Sequence, residues 1–160
     1  MSASPDLPRG IVLPPHAYVP GRTARHPEDW FDTIKASVTS DVPLEKLHDT
    51  TAFRVGIVYF NAGFYWECHE VLEPVWMATP ERSPERDMVQ ALIQLANARL
   101  KLKMDRPNAS SRLCGMVRTH LSRCPEDRPT MGLSVSEMEK RVAKTNRDVW
   151  KCIIMLNSKR

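Results

Sequence analysis

Within seven residues, Glu67-Cys68-His69-Glu70-Val71-Leu72-Glu73 places three carboxylates and an imidazole. Such side chains can do acid/base work or ligate divalent metals. On a helical wheel at about 100° per residue, Phe64, Tyr65, Cys68, Val71, Leu72, Val75 and Trp76 fill one continuous arc. Glu67, His69, Glu70 and Glu73 fill the rest, with Trp66 among them. His69 and Glu73 are four apart, share a face bordering the apolar arc, and are the candidate ligands for a divalent metal. Glu67 and Glu70 are three apart on a second face. The plain alternative is that these acids are the solvated half of an amphipathic helix. Known metal helices do not fit: Glu73 stands where a zinc-protease helix has its second histidine, and no Glu-x-x-His of the di-iron bundles occurs.

A second polar set lies downstream. Arg86, Gln90, Gln94, Asn97 and Lys101 recur at spacings of 4, 4, 3 and 4, flanked by Val89, Leu92, Ile93, Leu95, Ala96 and Leu100. A solvated stripe is usually Lys- and Glu-rich, whereas three amides in a narrow stripe predict partial burial against another polar group. If this stripe meets the Glu/His face, the candidate polar cluster is Glu67, His69, Glu70, Glu73, Arg86, Gln90 and Gln94. Such a cluster would be either a buried hydrogen-bond network that fixes helix register or a small-ligand site. His16 and His26, with Arg22 and Arg25 between them, can fold back onto the acidic face, but the expectation is that they are surface residues. His48 and His120 have no patterned neighbours, and no phosphate loop, nucleophile elbow or Cys/His nucleophile pattern occurs.

The elements that must position these residues read as helices. Pro5, Pro8, Pro14, Pro15, Pro20 and Pro27 make residues 1–28 an extended arm, because each removes a backbone donor and disfavours helix before it. Its first ten residues are expected to be loose and the rest, with Ile11, Val12, Leu13, Tyr18 and Val19, draped on the fold. Pro27-Glu28-Asp29 suits a first turn, predicting a short helix through Trp30, Phe31 and Ile34. A second helix is expected from Leu44 or Thr50 to Asn61, ended by Gly63. Phe64–Met77 follows, loosened near Pro74. Ser83-Pro84-Glu85 opens a helix to about Met104, and Pro107 opens one to Arg123. Ser134-Val-Ser-Glu137 has capping-box spacing before a helix with Met138, Val142, Thr145, Val149 and Ile153 on one face. With no sustained period-2 pattern, the fold class is all-α, a compact bundle of five or six helices in one domain over residues 29–160.

Composition narrows the function classes. At 42% hydrophobic and 26% charged, 160 residues can bury a core. The net charge of +4 is scattered without a basic block or basic-aromatic interleaving, which argues against nucleic acid. No run approaches a membrane span, the start lacks signal-peptide character, and Cys68, Cys114, Cys124 and Cys152 form no disulfide framework. The expected compartment is a reducing cytoplasm.

The run Phe60-Asn61-Ala62-Gly63-Phe64-Tyr65-Trp66-Glu67-Cys68-His69-Glu70-Val71-Leu72-Glu73-Pro74-Val75-Trp76 resembles the signature of domain-of-unknown-function family 309. Glu85-Arg86 followed by Gln90-Ala91-Leu92-Ile93-Gln94-Leu95-Ala96 resembles it too. The two segments match together, over about residues 45–120. The resemblance implies a small helical bundle from a prokaryotic cytosol and implies no reaction. Its typical residues fall on Asn61, Gly63, Glu67, His69, Glu70, Glu73, Trp76, Glu85, Arg86, Gln90 and Gln94. Ala91 stands where the family often has glycine, and Leu100-Lys101 where many members have histidine, which weakens a metal reading. The leading expectation is a helical domain with a structural or small-ligand polar cluster. Its rivals are a metal-dependent or acid/base enzyme acting on a small molecule, and a protein-interaction module using the arm and the Trp150 end of the last helix.

Overall fold

The computed structural model describes residues 7–160 and divides the chain into two compact units, Met1–Ala78 and Thr79–Arg160. The expected loose start falls largely on residues 1–6, which lie outside the described residues.

In the first unit, residues 7–31 run as turns and extended chain, with Pro14 and Val19 buried. Pro27 opens only a turn (Trp30 N–H to Pro27 O, 3.1 Å), and the short helix α1 begins later than expected, at Asp32–Lys35. A 3-10 helix, Leu44–Asp49, precedes α2, Thr51–Ala62. The Thr50 hydroxyl accepts from the Phe53 amide at 3.3 Å, satisfying one of the free donors of the α2 N-terminus. Gly63 ends α2 at φ 86°, a left-handed conformation that costs little without a Cβ, and Phe64 N–H returns to Tyr59 O at 2.8 Å. This turn leads directly into α3, Tyr65–Ala78, which continues four residues beyond Pro74. Helices α2 and α3 pack together. Val55, Tyr59, Cys68, Val71, Leu72 and Val75 are wholly buried. Gly56 permits the close approach: a Cβ there would lie 2.6 Å from Leu72 Cδ2.

The second unit contains α4 (Pro84–Lys103), α5 (Pro107–Leu121) and α6 (Val135–Ser158), with α5 packed on α4 and α6 on both. Ser83 caps α4 through Arg86 N–H (3.1 Å) and Ser134 caps α6 through Glu137 N–H (3.1 Å), the two starts read from serine spacing. Met138, Val142, Thr145 and Val149 are buried as expected, while Ile153 is half-buried. A single bridge, Thr130 to Leu133, is the only β pairing among the described residues. The fold is all-helical: six α-helices and one 3-10 helix among the described residues, the extra element arising because the helix expected from Leu44 or Thr50 divides into a 3-10 helix and α2.

Candidate functional site

Helix α3 divides its four polar residues among different environments. Glu73 is exposed and His69 half-buried. Glu70 pairs with Lys35 of α1 at 3.0 Å with both side chains partly in solvent, a contact worth about 1 kcal/mol or less. Glu67 differs from all of them, because its side chain is completely buried.

A buried carboxylate must be matched by donors, and the N-terminal segment supplies them. Glu67 Oε2 accepts from the Tyr18 backbone N–H at 2.8 Å and lies 2.7 Å from His26 Nε2. Nε2 donates to the carboxylate in the tautomer that carries its hydrogen there. The position of Glu67 in the first turn of α3 adds the favourable end of the helix dipole. The His26 side chain is 2% exposed, which corrects the expectation that it is a surface residue. Aromatic rings enclose it: His16 at 4.8 Å, Phe31 at 5.7 Å, Trp30 at 6.1 Å and Trp66 at 6.3 Å between centroids. The His16 ring is held by its own contact, Nε2 to Ala24 O at 2.7 Å.

Two buried polar atoms of this region, Glu67 Oε1 and the Tyr59 hydroxyl, make no hydrogen bond of normal geometry. Burial, then the Glu67 charge, pushes the Tyr59 phenol up to about 12, opposed by the nearby Trp30 indole. The same two causes push up the Cys68 thiol, so it is held protonated and is no nucleophile.

In the second unit, Arg86, Gln90, Gln94, Asn97 and Lys101 are all half-buried, matching the partial burial that the amide stripe predicts. Asn97 Nδ2 donates to Gln94 Oε1 at 3.4 Å, and Arg86 Nε donates to Thr79 Oγ1 at 3.2 Å.

An arrangement absent from the sequence reading also lies here. His120 Nδ1 is 2.8 Å from Asp87 Oδ1, which also accepts from Arg123. This resembles the orienting half of a catalytic triad, and Cys124 is close in sequence. The Cys124 thiol, however, donates to the carbonyls of Pro84 and His120. Burial and then the charges of Asp87 and Glu85 raise it to about 11, the opposite of activation. Among the described residues, no group of three or more His, Cys, Asp and Glu is placed to hold a metal ion together, and no helix is long and apolar enough to cross a membrane.

The sequence raised the fold-back of His26 onto the acidic face only as the lesser expectation, and gave no sign of the Tyr18 amide as a partner of Glu67. One signal was available, since Glu67 sits only about 40° from Val71 on the wheel and so borders the apolar arc. Its partners lie 41 and 49 residues away, where helical spacing carries no information.

Against this geometry, residues 53–113 match the family described as domain of unknown function (DUF309). The match bears out the resemblance and runs from α2 into α5, taking in Glu67, His69, Glu70, Glu73, Arg86, Gln90 and Gln94. No curated protein and no solved structure matches the chain.

Proposed function

We propose that this protein is a non-catalytic interaction module, in which the acidic helix α3 holds the N-terminal segment in place and binding occurs on the surface. The observation that carries this reading is the environment of Glu67. The carboxylate best placed for chemistry is wholly buried, and both of its donors come from the chain's own residues 18 and 26. A group closed off in this way serves folding. The four free thiols support a reducing compartment, the cytosol of a prokaryote in this proposal.

A small-ligand or acid/base site is the second reading, supported by two buried polar atoms without a hydrogen bond of normal geometry, Glu67 Oε1 and the Tyr59 hydroxyl. Thermal melts of Glu67→Gln and His26→Gln separate the two. A structural clasp predicts that both variants melt well below the natural protein. A functional carboxylate held at the expense of stability predicts that Glu67→Gln melts higher, and that result would overturn the interaction reading.

A further inference from the structure

The C-terminal half of α6 concentrates charge and exposed apolar surface in one place. Residues 144–160 hold Lys144, Arg147, Lys151, Lys159 and Arg160 against a single acid, Asp148. The whole chain has 23 basic and 19 acidic residues, so the remaining 18 of each sign cancel and the entire net charge of +4 resides in this segment. Its one acid is already engaged: Asp148 Oδ2 lies 2.6 Å from Arg99 Nη1, and its Oδ1 is 3.9 Å from the largely exposed Lys151 Nζ. Among these cations, Trp150, Ile154 and Met155 are 68%, 64% and 59% exposed. Trp150 and Ile154 are one turn apart and share a face of the helix. Beside them a groove of about 330 Å³ is lined by Asn108 and Ser111 of α5 and by Asn146, Val149, Trp150 and Ile153 of α6.

We propose that this surface docks an acidic amphipathic helix of a partner protein, with Trp150 as the apolar anchor and Arg147 and Lys151 as its charged flanks. The proposal rests on the interaction reading above and names its partner. Charge selects the occupant. A second copy of this chain paired through the same face would set five cations against five, and like charges brought together at an interface oppose association. A lipid surface satisfies the cations but leaves the Asn108, Ser111 and Asn146 side chains facing hydrocarbon without partners. An acidic helix answers both, with carboxylates for the cations, polar side chains for the amides and an apolar stripe for Trp150 and Ile154. Tryptophan and arginine are also the residues on which binding energy concentrates.

The test uses the full chain and an amphipathic peptide with leucine on one face and glutamate on the other, about 20 residues long and thus about 30 Å as a helix. Calorimetry is expected to show binding of this peptide and none of its lysine counterpart or of phosphatidylserine vesicles. Trp150→Ala and Arg147→Glu each weaken it at least about tenfold, with unchanged helical circular dichroism because both side chains are exposed. Equal binding by these variants, no binding of the glutamate peptide, or a preference for vesicles overturns the proposal. Those failures leave the Glu67 melts unaffected, so the loss of this partner is distinguishable from the loss of the interaction reading.

Discussion

His26 Nε2 and Glu67 Oε2 lie 2.7 Å apart with side-chain exposures of 2% and 0%, and this contact ties the N-terminal segment to the second of two packed helices. Removing one partner from a buried pair strands the other, at a cost of about 3–5 kcal/mol. His26→Ala and Glu67→Ala are each expected to destabilise the chain by an amount in that range. The double variant is expected to cost less than the sum, with a coupling of about 0.5–3 kcal/mol. Urea unfolding of the four proteins measures the cycle, and strict additivity would show that the contact contributes nothing.

The phenol of Tyr59 sets an alkaline limit. Its ordinary value of 10.0 rises to about 12 in the folded chain, through burial and then the Glu67 charge. The folded state therefore keeps a proton that the unfolded chain releases first, and stability falls with rising pH where the unfolded state binds fewer protons. This contribution is constant below about pH 10 and is lost between about 10 and 12. Tyr59→Phe should flatten that part of the stability profile, measured by denaturant midpoints across the range. An unchanged slope would place the phenol in solvent.

Local chemistry made most of the fold legible in the sequence. Thr50, Ser83 and Ser134 precede helices and cap them, Gly63 takes the positive φ of a helix end, and Pro84 and Pro107 stand at first helical positions. Each of these is decided within about four residues, the reach of a cap or a helical turn. The burial of Glu67 is decided elsewhere, by a proline-rich segment without periodicity of its own that brings His26 and the Tyr18 amide to the helix. The Asp87–His120 pair likewise spans 33 residues between α4 and α5. The amide stripe lay between these cases, since its composition alone signalled the half-burial of Gln90 and Gln94.

Gly56 tests the packing of α2 on α3. Alanine in a helix is favoured over glycine by about 1 kcal/mol, so an open site would gain from Gly56→Ala. Here the added Cβ would meet Leu72 Cδ2 at 2.6 Å and Cγ at 2.8 Å, and Leu72 is wholly buried. Overpacking a core costs about 1–3 kcal/mol, enough to outweigh the helical gain at most values in that range. The expected outcome is a lower melting temperature for Gly56→Ala. A rise would mean that Leu72 has room to move.

The four thiols should react in an order set by burial. Cys68 is wholly buried, and burial followed by the Glu67 charge raises its thiol, whereas Cys152 is half-buried near the exposed end of α6. Reaction needs both access and thiolate, so an aromatic disulfide reagent at neutral pH is expected to label Cys152 first and Cys68 last. Cys114 and Cys124, both buried with raised values, come between. Labelling of Cys68 then reports opening of the α2–α3 core. It should accelerate in His26→Ala, because that substitution lowers the free energy of the opening through which the reagent must pass. Mass spectrometry of time-quenched samples resolves the order, and early labelling of Cys68 in the natural protein would contradict its place in the core.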